Sequence, residues 1–151
     1  MFHSQKLYEL FNKIHERALR VVYKDNKSTF EELLLKDNSL TIHQRNLQKL
    51  VIEIFKVKRG LSPQIMNEVF DIEDIPYNHR NVTKFKSHRI RTTKYGIETP
   101  SYIGPKLWNS LPSEYKDLNS LKEFKTKIKK WIPINCPCKL CNTFISNVGY
   151  L

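Results

Sequence analysis

The chain has 151 residues, enough for one domain with a buried core or for two small lobes. Its 40% apolar and 27% charged residues are usual for a globular protein, and no apolar run approaches the roughly eighteen residues that a membrane-spanning helix requires. The 26 Lys and Arg against 15 Asp and Glu give a net charge of +11. The composition therefore excludes a membrane-spanning class and favours a negatively charged partner.

The excess charge is concentrated in the second half of the chain. Residues 1–75 contain 12 basic and 11 acidic side chains, whereas residues 76–151 contain 14 and 4, a net charge of +10. This asymmetry predicts a polyanionic partner for the second half. A positive face kept only for solubility is the plainer alternative.

The N-terminus and the cysteines indicate the compartment. The first residues, MFHSQKLYELF, have neither the apolar core nor the small-residue cleavage site of a secretory signal. Three cysteines, Cys136, Cys138 and Cys141, lie within six residues, which is unlike a secreted disulfide framework. We therefore expect an intracellular protein, in the nucleus or the cytoplasm, without a membrane partner.

Two helices are predicted before residue 40. The first spans residues 4–23, with Ser4 as N-cap, and Asp25-Asn26-Lys27 ends it. Its apolar residues recur at three- and four-residue steps: Leu7, Leu10, Phe11, Ile14, Ala18, Val21 and Val22. Ser28 with Glu31 forms a capping-box pattern that predicts a short second helix.

Two further helices complete the first half. Thr41 with Gln44 opens the strongest helix of the chain, over residues 41–58, and Arg59-Gly60 ends it. Ser62-Pro63 then starts a short helix, because Pro at the first helical position loses no hydrogen bond. The predicted buried side of this helix consists of Ile65, Met66, Val69 and Phe70.

The pattern changes after residue 70. Between Phe85 and Ile97 the apolar residues recur at a period nearer two than 3.6, which predicts an extended arm or a short hairpin. Gly104-Pro105 is then expected to open a short helical turn that carries Leu107 and Trp108 as an apolar anchor.

A last helix is predicted from Ser120 to Trp131. Ser120 with Glu123 forms a third capping-box pattern, and Ile132-Pro133 ends the helix. The predicted buried residues are Leu121, Phe124, Ile128 and Trp131. The lysines predicted on the exposed side are Lys122, Lys125, Lys127, Lys129 and Lys130.

Together these elements predict a mostly α fold. Its parts are a small helical bundle (1–70), a linker (71–79), a basic arm with a Trp anchor (80–112), a C-terminal amphipathic Lys-rich helix (113–133) and a Cys-containing tail (134–151).

The sequence shows no catalytic constellation. The five histidines are scattered, there is no GxSxG nucleophile motif, and the four glycines are isolated, so no phosphate-binding loop is formed. The second half has only four carboxylates, none of them placed as a two-metal site requires. We therefore expect that the chain is not an enzyme on its own and has no cofactor and no small-molecule substrate.

The cysteines leave a zinc site open as the less favoured alternative. Cys136, Cys138 and Cys141 supply three thiolates, whereas structural zinc is held by four ligands. No His or Cys follows Cys141. A structural or incidental cysteine turn is the favoured interpretation.

The residues favour nucleic-acid binding. Residues 80–95 hold six Lys or Arg and no carboxylate, interleaved with aromatic and β-branched side chains, which suits a polyanion. The predicted phosphate contacts are Arg80, Lys84, Lys86, Arg89, Arg91 and Lys94. Tyr95 and Tyr102 are candidates for stacking on bases, and Lys125 and Lys129 extend the positive field. The aromatic residues predicted to belong to the core instead are Phe85, Trp108, Phe124 and Trp131.

Four segments carry a resemblance to a known family: LYELFNKIHERALRVVY, FEELLLKDNSLTIHQRNLQKLVIEIFKVKRGLSPQIMNEVF, RIRTTKYGIETPSYIGPKLWNSLP and CPCKLC. They resemble, in the same order and over nearly the whole chain, the C-terminal region of reverse transcriptases encoded by LINE-like, jockey-type non-LTR retrotransposons. The resemblance implies a position in the thumb and the segment beyond it. There the region would help to grip template RNA and target DNA during target-primed reverse transcription.

The resemblance carries no catalytic residue over. The family's palm motif, a Tyr or Phe followed by Ala-Asp-Asp, and its endonuclease domain have no counterpart in the sequence. Some related elements end in a Cys-Cys-His-Cys zinc motif, from which this tail departs by lacking the His. The resemblance thus implies a non-catalytic, nucleic-acid-binding fragment of an RNA-directed DNA polymerase.

Two alternatives to nucleic-acid binding stay open. The first is a protein-interaction module whose 41–58 helix docks a partner. The second is a degenerate open reading frame without function.

Overall fold

A computed structural model describes residues 5–72, 85–86, 89, 96 and 99–131. Within these residues the chain forms seven α-helices and no strand. They are α1 (Gln5–Tyr23), α2 (Phe30–Asp37), α3 (Ile42–Lys58), α4 (Ile65–Val69), α5 (Pro100–Ser110), α6 (Ser113–Lys116) and α7 (Leu121–Ile128). One isolated antiparallel bridge joins Ile72 to Phe85. The predicted mostly α fold is confirmed.

The chain divides into two compact units, Met1–Asn46 and Leu47–Leu151, here called the N-terminal and C-terminal units. The predicted division into five segments stays a prediction. Most of the predicted linker, most of the basic arm and the tail with its three cysteines lie outside the described residues.

In the N-terminal unit, α1 and α2 pack through a small apolar cluster. The cluster consists of Leu19, Leu33 and Leu34, with Tyr23 and Phe30 packed at its edge. The Tyr23 hydroxyl donates to the Asp37 carboxylate over 2.9 Å. This bond ties the end of α1 to the end of α2.

The start of α2 differs by one residue from the predicted capping box. Thr29 is the N-cap: its hydroxyl accepts from the Glu32 N–H over 3.3 Å, and the Glu32 carboxylate accepts from the Thr29 N–H over 2.8 Å. The Ser28–Glu31 prediction is wrong, because the Ser28 hydroxyl donates to the Asp25 carboxylate over 2.7 Å. Hydrogen bonds from the Ser28 backbone and hydroxyl lower the pKa of Asp25 to about 2.

The apolar repeat of α1 is not the buried side of the helix. Tyr8 and Leu19 are buried, and Tyr8 packs edge-on against His43 with ring centroids 5.3 Å apart. Four residues of the repeat are exposed by half or more: Leu10 (51%), Ile14 (53%), Val21 (77%) and Val22 (70%). The predicted helix is present, but its most periodic apolar face lies in solvent.

In the C-terminal unit, α3 supplies the main apolar face of the core. The α3 residues that are at most 2% exposed are Leu47, Leu50, Val51, Ile54 and Phe55. The Phe55 ring stacks on Phe124 of α7 with centroids 4.1 Å apart, and Trp108 of α5 lies 6.2 Å from Phe124. These three rings join α3, α5 and α7.

The capping box predicted for α3 is confirmed. The Gln44 N–H donates to the Thr41 hydroxyl over 3.3 Å, and the Thr41 N–H donates to the Gln44 side-chain oxygen over 3.1 Å. The helix ends at Lys58, and Gly60 follows with φ +66°, the left-handed conformation that favours glycine after a helix.

The short helix α4 begins later than predicted. Its first residue is Ile65, because a tight turn precedes it in which the Met66 N–H donates to the Pro63 carbonyl over 2.9 Å. Ile65 is 61% exposed, so its predicted burial is wrong. Phe70, which follows α4, is 1% exposed, as expected for the core.

The helix α5 begins before the predicted turn and contains it. Pro100 occupies the first helical turn, and Gly104-Pro105 lies inside the helix. A Cβ added at Gly104 would lie 2.6 Å from Phe70 Cε1 and 2.8 Å from Ile54 Cδ1. The predicted start of the helical segment at Gly104-Pro105 is therefore wrong, whereas Leu107 and Trp108 lie in a helix and are buried, as predicted. Glycine is needed here for close packing against the core formed by α3 and Phe70.

We expect Gly104→Ala to destabilise the chain by about 1–3 kcal/mol, because the new methyl group overpacks the core. Urea unfolding followed by circular dichroism measures the change. Gly60→Asn is the control: no atom lies within 4 Å of the position, and Asn tolerates positive φ. Equal stability of Gly104→Ala and wild type would contradict this role of Gly104.

A pH dependence is expected from His15. Its ring lies edge-on to Phe30 with centroids 5.7 Å apart, and burial, followed by the charge of Arg45, lowers the pKa of His15 below its ordinary 6.5. His15 therefore binds a proton more readily in the unfolded chain than in the folded chain. Neutral His15 contributes its full share of the folding free energy at pH values above 6.5, the ordinary pKa of the unfolded chain. This contribution is lost as the pH falls through the lower pKa that His15 has in the folded chain.

We expect the urea midpoint of the wild type to be lower at about pH 5.5 than at about pH 7.5. The difference between the two midpoints should be smaller in His15→Gln. Parallel urea titrations at the two pH values measure it. A variant that loses as much stability on acidification as the wild type would exclude His15 as the cause.

Candidate nucleic-acid interface

Four of the nine predicted contact residues belong to the described part of the chain. They are Lys86, Arg89, Lys125 and Lys129. The other predicted contacts, Arg80, Lys84, Arg91, Lys94 and Tyr95, lie outside the described residues and stay predictions.

The helix α7 presents its lysines because its apolar residues are buried. Its N-cap Ser120 accepts a hydrogen bond from the Glu123 N–H, which is the forward half of the predicted capping box. Phe124 and Ile128 are fully buried, which fixes the rotation of the helix. All five lysines predicted on the opposite side are exposed: Lys122, Lys125, Lys127, Lys129 and Lys130.

Three of these lysines form a stripe along one side of α7. Lys122, Lys125 and Lys129, the C-cap residue with helical backbone angles, stand at positions i, i+3 and i+7, which lie within one face and span about 10 Å along the helix axis. Among the described residues, no ion pair engages any of the three. The stripe can therefore meet several phosphates of one strand.

The C-terminal end of α7 is held by a side chain that the sequence did not single out. Gln48 of α3 is 8% exposed, and its amide group donates to the Trp131 carbonyl over 2.8 Å and to the Lys129 carbonyl over 3.3 Å. It thus satisfies carbonyl groups that the end of a helix leaves unpaired. No sequence signal connects two residues 83 positions apart.

Phe85, a residue of the basic arm, is anchored on α5. Phe85 is 1% exposed and lies edge-on to Trp108, with ring centroids 5.6 Å apart. The Asn109 side chain donates to the Phe85 carbonyl over 3.2 Å and accepts from the Phe85 N–H over 3.4 Å. Lys86, the next residue, pairs with Asp71 over 3.0 Å at an exposed site.

Trp108 connects the two basic segments. Phe85 packs on it from the arm, and Phe124 packs on it from α7. Lys86 and Lys125 directly follow these two aromatic residues in the chain. Both segments thus depend on one fully buried side chain.

Two other basic residues are engaged inside the C-terminal unit. The Lys58 ammonium donates to the Lys116 carbonyl over 3.0 Å and lies 5.5 Å from the centre of the Trp108 ring. Burial, followed by the charge of Arg59, lowers the pKa of Lys58. The Arg59 guanidinium donates to the Leu118 carbonyl and to Asn119 Oδ1. These bonds hold the segment between α6 and α7.

The predicted aromatic roles divide as follows. Phe85, Trp108 and Phe124 are at most 1% exposed, which confirms that they belong to the core, and Trp131 is half-buried. Tyr102 is half-buried too, and the Lys106 ammonium lies 4.0 Å from its ring centre and donates to its hydroxyl. One face of Tyr102 is therefore covered by its own helix.

The described part of the chain contains neither a cluster of metal-binding side chains nor a helix that could span a membrane. No three His, Cys, Asp or Glu side chains there lie together as a metal site requires. The zinc prediction concerns Cys136, Cys138 and Cys141, which lie outside that part. None of the described helices is both long and apolar enough to cross a membrane.

Comparison with known proteins gives no match: no protein-family model, no curated protein and no solved structure is similar to the chain.

We expect Gln48→Leu to destabilise the chain by about 1–2 kcal/mol, because it leaves the Lys129 and Trp131 carbonyls unpaired. Amide hydrogen exchange should become faster in residues 129–131. Lys49→Leu is the matched control, since Lys49 is an exposed neighbour on α3. Unchanged exchange at the end of α7 would show that Gln48 does not hold it.

Proposed function

We propose that the chain binds nucleic acid without catalysing a reaction, through the lysine stripe of α7 and the basic segment that follows Phe85. The observation that carries the proposal is the exposed stripe of Lys122, Lys125 and Lys129, which has no carboxylate partner among the described residues. The net charge of +10 in residues 76–151 supports it.

The anchoring of the basic arm also supports the proposal. A flexible basic segment loses conformational freedom when it binds, and that loss weakens the complex. The packing of Phe85 on Trp108 and its two hydrogen bonds to Asn109 hold this residue of the arm in place in advance. The exposed Arg89 lies three residues after Lys86 and would approach the same polyanion.

In this proposal the chain corresponds to the thumb and downstream region of a non-LTR retrotransposon reverse transcriptase. Its role would be to grip template RNA or target DNA for a polymerase centre that the sequence lacks, inside the cell, in the nucleus or the cytoplasm. The family resemblance of the four sequence segments supports this assignment.

The alternative role for the 41–58 helix, docking a protein partner, is less well supported. The apolar residues of α3 from Leu47 to Phe55 pack inside the C-terminal unit. None of the large apolar residues exposed in the described part of the chain belongs to α3.

We expect Lys125→Gln with Lys129→Gln to reduce the salt dependence of binding. Removal of two phosphate contacts should lower the slope of log K against log salt by about 1.4 for a single strand or about 1.8 for a duplex. It should weaken binding by one to two orders of magnitude at about 0.1 M salt. Fluorescence anisotropy with labelled RNA and DNA at several salt concentrations measures both values.

The control carries Lys24→Gln with Lys27→Gln, two exposed lysines of the N-terminal unit. It makes the same change in net charge away from the proposed interface. If both pairs change the slope equally, binding follows net charge and no defined interface exists. No binding of the wild type at low salt would refute the function.

A separate test addresses the arm. We expect Arg89→Glu with Arg91→Glu to abolish binding, since two reversed charges repel phosphate. The circular dichroism spectrum should be unchanged because Arg89 is exposed. Full retention of binding would exclude the arm from the interface.

A further inference from the structure

The exposed apolar face of α1 has no role in the proposed nucleic-acid interface. We call its five exposed members, Leu10, Ile14, Ala18, Val21 and Val22, the α1 stripe. Leu10, Ile14, Ala18 and Val21 follow one another at steps of four, four and three residues, so they lie along one side of the helix over about 17 Å. Single exposed apolar residues are common, but a continuous row of them marks an interaction site.

The opposite side of α1 is already occupied. Tyr8 and Leu19 are buried there, against the first turn of α3 and against α2. The Asn46 amide donates to the Tyr8 hydroxyl over 3.3 Å. The rotation of α1 is thus fixed by contacts within the N-terminal unit, and these contacts leave the stripe in solvent.

One edge of the stripe is basic. Lys6, Lys13 and Arg17 are exposed and lie beside Leu10 and Val21 on the helical wheel. In the described part of the chain no carboxylate pairs with them. Lys13 and Arg17 are also four residues apart, a like-charge spacing that weakens an isolated helix. This edge therefore offers charge to a partner and does not stabilise α1.

We infer that the α1 stripe docks an amphipathic helix whose apolar seam is flanked by Asp or Glu. Aliphatic side chains at three- and four-residue steps fit the holes of a facing helix, and β-branched Ile and Val are well suited to such seams. The basic edge would select acidic flanks and oppose basic ones.

A second copy of this chain fits the stripe less well. In an antiparallel pair of α1 helices the basic edges would face each other, and the charges would repel. In a parallel pair the basic edge of one helix would face the edge of its partner that contains Phe11 and Val22. No acidic residue would then meet Lys13 or Arg17.

An anionic membrane surface also fits less well. Interfacial helices insert Trp or Phe together with Leu and carry basic residues over a broad polar face. The most exposed residues of the α1 stripe are Leu10, Ile14, Val21 and Val22, without an aromatic ring among them. The polar side of α1 also carries Glu9 and Glu16, of which Glu16 pairs with Arg20 over 2.6 Å.

The inference is independent of nucleic-acid binding, since the stripe belongs to the N-terminal unit and the lysine stripe of α7 to the C-terminal unit. The inference is tested with a synthetic peptide of about three heptads. Each heptad carries Leu at its two seam positions and Glu at the positions that flank the seam. We expect the full-length chain to bind this peptide with a Kd below about 100 μM by fluorescence anisotropy. A peptide with the same Glu residues and Ser in place of Leu should not bind.

Two pairs of variants locate the site. Ile14→Gln with Val21→Gln should weaken binding at least about tenfold, because two seam contacts are lost. The fold should be unaffected, because both residues are exposed. The matched control is Leu61→Gln with Ile65→Gln, two equally exposed apolar residues of the C-terminal unit. Lys125→Gln with Lys129→Gln tests whether the Glu peptide binds α7 instead.

A charge exchange tests the acidic flanks. Lys13→Glu with Arg17→Glu should weaken the Glu-flanked peptide and strengthen a Lys-flanked peptide with the same seam. Peptide binding that survives Ile14→Gln with Val21→Gln would overturn the inference. If the peptide does not bind, two other results would also overturn the inference. The first is self-association in sedimentation velocity that is abolished by Ile14→Gln with Val21→Gln. The second is binding to vesicles of anionic lipid that the same two substitutions abolish.

Discussion

The burial of Trp108 is the contact on which the arrangement of the C-terminal unit depends. Its side chain is inaccessible to solvent, with Phe85 on one side, Phe124 on another and the Lys58 ammonium over the ring. Truncation of such a side chain typically costs about 3–5 kcal/mol. Trp108 reaches this position only because Gly104, one helical turn earlier, lets α5 approach Ile54 and Phe70 closely. The missing Cβ of Gly104 thus permits the close packing of α5, whose Trp108 contacts Phe85 and Phe124 of the two basic segments.

The basic residues of the second half differ in whether another group of the protein already binds their side chains. In the sequence they all contribute equally to a net charge of +10. In the fold Lys116 donates to the Asn109 carbonyl and Lys86 pairs with Asp71, while the lysines of α7 extend into solvent. In the first half, Lys58 at the end of α3 and Arg59 after it are likewise occupied, by the Lys116 and Leu118 carbonyl groups. The charge available to a polyanion is therefore smaller than the composition indicates, and it is concentrated on fewer elements.

The features predicted correctly from the sequence are those set by neighbours along the chain. The Thr41–Gln44 box, the end of α3 at Gly60 and the lysines of α7 depend on residues within one or two helical turns. Some wrong predictions, such as the Ser28–Glu31 box, have a local cause, whereas others involve distant partners. The sequence predicts that Gly104-Pro105 opens a helical segment instead of lying inside it, because Phe70 and Ile54, against which the glycine packs, are 34 and 50 residues away. The role of Gln48 has no signal in the sequence for the same reason, and the side of α1 that faces solvent is set by contacts with α2 and the first turn of α3 that no periodicity specifies.

The pair of hydrogen bonds between Asn109 and Phe85 has a consequence for the chemical ageing of the protein. An amide side chain can donate to one backbone group and accept from another, so Asn109 imitates the edge of a neighbouring strand. Hydrolysis of that amide by water, which releases ammonia, would leave a carboxylate, which only accepts, facing the Phe85 carbonyl oxygen. The bond donated to the Phe85 carbonyl would become a repulsion between two oxygen atoms, and one of the two hydrogen bonds that attach the basic arm to α5 would be lost. Spontaneous deamidation at one position would then weaken the attachment of the arm, while the Phe85 ring stays packed on Trp108 in the core.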